Sequence, residues 1–320
     1  MRRIPFIAAG LLALAGLVPS LALAASACPA AAPAYQGVLF DAMAQIESTQ
    51  SPQFVLDLMR AGGVEKMALF ARVHPKRSGE HNVLQAGKLA PDRILMGTPK
   101  TFDERDDLRA GFVKRTLEDI PGRGYRFVGE IMFTHGDKSH GERTPGGERY
   151  VDPLAPGVNR LVEALKGRVP FMTHWEVYDW DRDWPRVSQL YARFPAQTFI
   201  WPHVGFAHVA QVDEVLSRHS NVVATLSKKE QDQRAMSDNE KAAQLGPAII
   251  DDCGTLLPEW KDLILRHQDR LLFATDAHKE ARWNKYRGIV KAWRGILGQL
   301  PPAVAEKIAL RNALRVYAVP

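Results

Sequence analysis

The sequence has few cysteines, no phosphate-binding glycine pattern and no concentrated basic segment. Only 2 of its 320 residues are cysteine, too few for a disulfide framework or a four-cysteine zinc site. The net charge is +6, but no segment clusters basic and aromatic residues as nucleic-acid-binding surfaces do. Hydrophobic residues at 46% and charged residues at 24% exclude global disorder. We therefore expect a globular protein that does not bind nucleic acid.

Long apolar runs are missing beyond the N-terminus, where one such run follows Arg2 and Arg3 and ends at Ala22-Leu23-Ala24. A positive start, an apolar core and a small-x-small end are typical of a secretory signal peptide. An uncleaved membrane anchor is the alternative interpretation. The pattern predicts an exported, periplasmic or secreted protein with no membrane span after cleavage. It divides the chain into a signal peptide (1–24), a linker (25–36) and a mature domain (37–320).

The two cysteines leave two questions open. Cleavage after Ala25-Ser26-Ala27 would place Cys28 at the mature N-terminus, as in a lipoprotein, although Ala25 stands where such signals have leucine. Exported proteins can form disulfides, so Cys28 can also pair with Cys253.

Short apolar runs alternate with amphipathic stretches over the rest of the chain. Runs without strict polar alternation, such as Leu271-Leu272-Phe273-Ala274, fit strands buried on both faces. Alternating strands and helices predict parallel strands with crossover helices, and eight such units fit an α/β fold of the (β/α)₈ barrel type as a single domain. A doubly wound open sheet is the alternative, but no Gly-x-Gly-x-x-Gly turn follows the first strand. The predicted strands are Gly37–Ala42, Lys66–Val73, Arg93–Gly97, Tyr125–Phe133, Val169–His174, Thr198–His203, Asn221–Leu226 and Arg270–Thr275.

Polar residues stand near the ends of several predicted strands. In a (β/α)₈ barrel the carboxyl ends of the strands share one face, which holds the active site, and imidazoles and carboxylates are ligands for zinc and similar ions. Taken singly, each has a structural interpretation, because an aspartate there often caps the next helix. Together they predict a site whose members are Met43, Gln45, Glu130, His174, His203 and Asp276.

Other polar residues receive weaker assignments. His135 and His140 are interpreted as part of a solvated lid, and His219 and His267 as surface residues near helices. Cations near predicted strand ends are candidate contacts for a substrate carboxylate; they are Arg72, Lys228 and Lys229.

The chain resembles the amidohydrolase superfamily, in particular its amidohydrolase-2 branch of metal-dependent (β/α)₈ hydrolases and decarboxylases. The resemblance covers roughly Val38 to Tyr317 and depends on the order of several short motifs. These are Phe40-Asp41-Ala42, Gly129-Glu130, Thr173-His174, His203-Val204-Gly205 and Leu272-Phe273-Ala274-Thr275-Asp276, followed by the closing helical segment Lys307–Tyr317.

The resemblance implies one divalent metal, usually zinc, held by a strand-one His-x-His pair, His174 and Asp276. It also implies that His203 positions or polarises the substrate and that Asp276 takes a proton from water. This chain departs from the pattern, because Met43 and Gln45 stand where the two strand-one histidines would be. A thioether and an amide oxygen are poor zinc ligands, so the sequence predicts weak metal binding.

Three functions are compatible with these observations. The first is an exported amidohydrolase-like enzyme that hydrolyses or decarboxylates a small, carboxylate-bearing molecule at an atypical metal site. The second is a non-catalytic barrel that binds a small ligand in the same pocket. The third is a structural or interaction protein that keeps only the scaffold, since a fold does not determine a function.

Overall fold

The computed structural model describes residues 28, 30–74, 77–101, 109–135, 149–177, 179–227 and 248–319. The chain divides into Met1–Ala30 and Ala31–Pro320, and every element below belongs to the second part. The predicted signal peptide, His140, Lys228 and Lys229 lie outside the described residues.

Eight parallel strands provide the frame of the domain. Within the described residues they form two sheets, β1-β2-β4 and β10-β9-β8-β7-β5, while β3 and β6 add short antiparallel pairs to β2 and β5. The strands are β1 Leu39–Ile46, β2 Val64–His74, β3 Arg77–Ser78, β4 Ile94–Thr101, β5 Val128–His135, β6 Arg149–Tyr150, β7 Phe171–Trp175, β8 Phe199–Trp201, β9 Val222–Thr225 and β10 Leu271–Leu272.

Backbone hydrogen bonds join the two sheets at both edges. Ala42 N–H donates to the carbonyl of Phe273 over 3.0 Å, which links β1 to the segment that continues β10. Thr98 N–H donates to the carbonyl of Phe127 over 3.1 Å, which links β4 to the start of β5. The eight parallel strands therefore follow one another in the order of a (β/α)₈ barrel, as the sequence predicts.

Helices cross between successive strands, and the first of them begins at a suitable cap. The Ser51 hydroxyl accepts the backbone N–H of Phe54, and Pro52 occupies the first turn of α1, where no amide donor is needed. The helices are α1 Pro52–Gly62, α2 Glu80–Leu89, α3 Ala110–Arg123, α4 Pro156–Leu165, α5 Trp180–Arg193, α6 Val209–Arg218, α7 Pro258–Arg266, α8 Glu280–Asn284, α9 Tyr286–Leu297, α10 Pro302–Glu306 and α11 Asn312–Val316, with a π-helical turn, Lys307–Arg311, before α11.

The buried residues form two apolar layers, because the strands are buried on both faces. The inner layer fills the barrel and is capped by Tyr317, whose ring stacks on Phe40 with centroids 5.6 Å apart. The outer layer lies between strands and helices. Part of it is a column of indoles on β7, β8 and α5, in which the rings of Trp175 and Trp201 stack with centroids 4.8 Å apart. This column fixes the strands that end in the polar cluster described next.

No helix in the described ranges is both long and apolar enough to cross a bilayer.

Candidate active site

Polar side chains collect at the carboxyl ends of the barrel strands and are nearly all buried. Hydrogen bonds and ion pairs connect them into one cluster. Sequence analysis anticipated Gln45, Glu130, His174, His203 and Asp276 in this place. Met43 is also at this end, but its side chain packs in the inner apolar layer, and only its carbonyl, which accepts Asp276 N–H over 2.9 Å, touches the cluster.

Gln45 links one carboxylate to one cation. Its Nε2 donates to Asp276 Oδ1 over 2.7 Å and lies 3.5 Å from Glu130 Oε2. Its Oε1 accepts Arg72 Nη1 over 3.1 Å. Because a guanidinium only donates, this bond fixes the orientation of the amide and directs its NH₂ group at the carboxylates.

Glu130 lies between two cationic side chains. Lys100 Nζ donates to its Oε2 and His174 Nδ1 to its Oε1, in a region where all three side chains are buried. Burial by itself would raise the pKa of Glu130, but Lys100 and His174 hold it well below its usual range. Burial lowers the pKa of Lys100 against the pull of Glu130.

His174 has a second carboxylate on its other ring nitrogen. Its Nε2 lies 3.2 Å from Glu176 Oε1. Burial opposes a charge on His174, but Glu130 and Glu176 outweigh it and raise the pKa of the imidazole. Lys100, Glu130, His174 and Glu176 thus form a chain of alternating charge, which we call the β4–β7 charge chain.

His203 lies on a strained turn after β8, not on the strand where sequence analysis placed it. His203, Val204, Gly205 and Phe206 all have positive φ, from 45° to 58°, a conformation that is unusual for residues other than glycine and costly for a β-branched one. The Thr225 hydroxyl accepts His203 N–H over 2.9 Å, and Ser227 Oγ lies 2.7 Å from Nδ1. These contacts direct Nε2 to a point 3.8 Å from Asp276 Oδ2.

Asp41 matches a family motif, but its contacts are structural. Its carboxylate accepts the N–H and the hydroxyl of Thr275, over 2.9 and 2.6 Å, and the hydroxyl of Tyr286 over 3.1 Å. These bonds fasten β1 to the residues just before Asp276. Burial raises the pKa of Asp41 to about 6, although the hydrogen bonds from Thr275, Met43 and Tyr286 oppose the shift.

The position between Gln45, His174 and Asp276 does not fit the metal that the family resemblance implies. A metal needs acceptor atoms there, whereas Gln45 presents the NH₂ group of its amide. Glu130, His174 and His203 have ligand atoms within 4.8 Å of one another. However, two ligands of one tetrahedral zinc ion lie about 3.3 Å apart, from bond lengths near 2.05 Å. Glu130 and His174 are closer, in direct hydrogen-bond contact, and Lys100 holds the other oxygen of Glu130.

Lys100 is a member of the cluster that the sequence did not predict, and two histidines lie elsewhere than predicted. Lys100 was missed because the predicted strand ended at Gly97, before Pro99. His219 and His267 are buried, contrary to the prediction that they are surface residues. Ser188 Oγ lies 2.8 Å from a ring nitrogen of His219, and Asp213 Oδ1 lies 2.6 Å from one of His267. Both tie helices together away from the strand ends.

Comparison with known proteins identifies the relatives of this fold. The family described as Amidohydrolase matches residues 50–319. Among solved structures, an uncharacterised TIM-barrel protein from Bordetella bronchiseptica has a TM-score of 0.57 at 14% identity, covering 88% of this chain and 99% of that one. No curated protein sequence matches.

Two further structures share the fold at similar distance. A probable 2-pyrone-4,6-dicarboxylic acid hydrolase from Acinetobacter baumannii, with citric acid bound, has a TM-score of 0.56 at 13% identity, covering 88% of this chain and 99% of that one. A putative hydrolase of the same description from Pseudomonas putida has a TM-score of 0.53 at 12% identity, covering 88% and 97%. At these identities the likeness establishes the fold alone.

Proposed function

The chain belongs to the amidohydrolase family, and on that premise we propose that it is an exported hydrolase that acts on a small, carboxylate-bearing molecule without the metal of the strand-one site. Asp276 and His203 are its proposed catalytic residues. The cluster at the strand ends supplies a carboxylate, an imidazole and a set of cations within one buried region.

The observation that supports the substrate class is a cavity lined by cations, one of which, Arg72, is linked to Asp276 through Gln45. A cavity of about 760 Å³ lies among residues that follow β1, residues at the end of β2 and in β3, and residues that precede and form α8. Its cations are Arg72, Arg77 and Lys279, accompanied by His74 and by the acidic Glu47 and Glu280. Arg72 also donates to Gln45, which donates to Asp276. A ligand carboxylate on Arg72 would therefore lie two hydrogen bonds from the proposed base.

Asp276 and His203 are arranged to handle one water molecule. The 3.8 Å between Asp276 Oδ2 and His203 Nε2 is too long for a hydrogen bond, and in our proposal a water to one side of this line would bond to both groups. In the proposed reaction Asp276 takes a proton from that water while the oxygen of the water attacks the substrate carbonyl. The bond to the leaving group then breaks, and the proton passes from Asp276 to the leaving group.

The neighbours favour the same substrate chemistry. Two of the structures that share this fold are described as hydrolases of a dicarboxylic acid, and one of them holds citric acid. From these neighbours we infer only that the substrate of this protein carries a carboxylate, since the cavity offers more than one cation to bind it.

A second candidate function is binding without catalysis. It is favoured by Gln45, whose amide caps Asp276 Oδ1 at 2.7 Å and thereby stabilises the carboxylate that would have to act as a base. A protein that retains a carboxylate on Arg72 but no reactivity at Asp276 would be a small-ligand-binding barrel.

The test compares turnover of lactones, esters and amides that differ only in carrying a carboxylate. We expect hydrolysis of carboxylate-bearing compounds, a kcat at least 100-fold lower in Asp276→Asn, and a raised KM in Arg72→Lys, which keeps the charge but loses the forked geometry. Lys66→Met is the matched control, because Lys66 ends on the Asp92 carbonyl at the opposite end of β2. Equal turnover of neutral esters would refute the substrate class, and tight binding without turnover would establish the second function.

Export is the remaining part of the proposal. It is supported by the Arg2-Arg3 start and the Ala22-Leu23-Ala24 end of the apolar run, and by Cys253, which is disulfide-bonded, as is common in oxidising compartments. Mass spectrometry of protein from the cell envelope should show an N-terminus near Ala25 or Cys28. An intact Met1 in that fraction would contradict cleavage.

A further inference from the structure

We propose a divalent-metal site at the ends of β5 and β7, made by His135, His174 and Glu176. We call these three residues the outer trio. Their ligand atoms, two imidazole nitrogens and one carboxylate oxygen, lie within 4.8 Å of one another. The proposal concerns metal binding and does not depend on hydrolase activity.

The strands bring the outer trio together by their register. His174 and Glu176 are two residues apart, so they face the same side, while Trp175 between them packs in the indole column. Glu176 N–H donates to the carbonyl of Thr134 over 3.1 Å. This bond sets Glu176 beside the end of β5, where His135 is the last residue.

The distances approach those of a zinc-type site. Ligand atoms on one tetrahedral zinc ion are about 3.3 Å apart, from bond lengths near 2.05 Å. His174 Nε2 and Glu176 Oε1 are 3.2 Å apart, which already fits. His135 Nε2 is 4.0 Å from Glu176 Oε1, and its side chain is 32% exposed. The exposed, terminal ligand His135 is therefore the one that has to move, and its distance to Glu176 would shorten by roughly 0.7 Å to reach this geometry.

Glu130 gives His174 the support that metal-binding histidines have. In such sites the second ring nitrogen donates to a carboxylate, which fixes the tautomer and leaves the other nitrogen for the ion. Nδ1 of His174 is bonded to Glu130, so Nε2 faces Glu176 and His135. Glu130 is itself held by Lys100, so the carboxylate that orients His174 is fixed in turn.

The outer trio differs from the family position in every ligand but one. It uses no residue of β1 or of the segment after β10, and it engages the nitrogen of His174 that faces away from Glu130. Two imidazoles and one carboxylate with an open position form the donor set of zinc hydrolytic sites. The ion expected is therefore zinc or cobalt(II) rather than calcium or magnesium, which prefer oxygen ligands.

The test is titration of tag-free, chelator-treated protein with cobalt(II), followed by visible absorption and by equilibrium dialysis at neutral pH. We expect one equivalent with the intense bands of a four- or five-coordinate ion, and at least tenfold weaker binding in Glu176→Gln and in His135→Ala. His81→Ala is the matched control, because it removes an exposed imidazole on α2 that lies outside both the outer trio and the proposed substrate cavity, and it should bind as the natural protein does.

Two further variants decide between positions, with thermal unfolding used to confirm that each folds. Binding lost in Asp276→Asn but kept in Glu176→Gln would place the ion at the family position. Binding lost in His203→Ala but kept in Glu176→Gln would place it with Glu130 and His203. Either result, or less than 0.1 equivalent bound by the natural protein, on the order expected for adventitious metal, would overturn the proposal.

Discussion

The buried carboxyl of Asp41 should make the stability of this protein fall as the pH rises through the mildly acidic range. The unfolded group releases its proton near 3.8 and the folded one at about 6. Between these values the folded chain holds more protons than the unfolded chain, so rising pH favours unfolding. The contribution of the Asp41 carboxyl to the unfolding free energy is complete below about pH 4 and is lost as the pH rises to about 6. A pKa shift of about two units corresponds to about 3 kcal/mol of unfolding free energy.

The informative variant is Asp41→Asn. Its amide keeps an oxygen for Thr275 N–H but no longer titrates, while the hydroxyls of Thr275 and Tyr286 can turn to accept from its NH₂ group. At low pH the folded Asp41 is a protonated carboxyl, which is neutral like the amide, so the substitution removes no charge there. The unfolding free energy of the natural protein should therefore fall by about 3 kcal/mol relative to that of the variant between pH 4 and pH 7.

Urea unfolding at half-unit pH steps measures this difference directly, because other titrating groups cancel between the two proteins. The control is Asp57→Asn, which removes a carboxylate from the exposed face of α1 and should run parallel to the natural protein. If Asp41→Asn also runs parallel to the natural protein across the whole range, Asp41 is not the proton-binding group and the reasoning is wrong.

Four further variants test the turn, a helical glycine, the closing helix and the base. Gly205→Ala should lower the unfolding free energy by about 2 kcal/mol or more, because φ is +58° and the new Cβ would lie 2.4 Å from the Trp201 side chain. In Gly295→Ala, within α9, the new Cβ meets nothing within 4 Å. This variant should therefore gain about 0.5–1 kcal/mol of unfolding free energy. Asn312→Ala should cost about 2 kcal/mol in urea unfolding, since its amide donates to two backbone carbonyls at 2.7 and 2.9 Å. Asp276→Asn should leave thermal unfolding within a few degrees of the natural protein while removing turnover, and an unchanged kcat would exclude Asp276 as the base.

The barrel was predictable because the alternation of short apolar runs and amphipathic stretches recurs along the sequence. Each predicted strand overlaps one of the eight parallel strands, although boundaries differ. The run of β1, for example, continues to Ile46 rather than ending at Ala42. Polar residues such as Asp41 and Gln45 resemble the end of a strand in sequence, yet both are buried because partners from distant strands satisfy them. Those partners are invisible to local patterns.

The residues of α9 have helical spacing in the sequence, although no helix was predicted there. In α9 the buried residues Tyr286, Ile289, Val290, Trp293 and Leu297 recur at helical intervals. Two glycines and several basic residues interrupt the stretch and lower its apparent propensity, but packing against the strands decides the structure.

The grouping of polar residues at the strand ends was predictable from the sequence, but the predicted set of residues was incomplete. Parallel strands bring their carboxyl ends together, so His174, His203 and Asp276 could be grouped from sequence order alone. Lys100 could not, because Pro99 looks like the end of a strand. The structure accommodates it with a register shift, in which β2 advances from Phe70 to Arg72 while β4 advances from Gly97 to Lys100.

The β4–β7 charge chain should not be divisible into independent contributions in mutagenesis. Replacing Lys100 alone by methionine leaves Glu130 with one partner fewer in a buried setting, a situation that typically costs about 3–5 kcal/mol. Replacing Lys100 and Glu130 together removes the unpaired charge. The double variant should therefore lose much less unfolding free energy than the sum of the losses in the two single variants. A severe single variant would therefore report a mismatch left behind rather than the worth of the residue removed. Substitutions in the β4–β7 charge chain need to be interpreted in pairs, with the coupling energy between the two residues as the measured quantity.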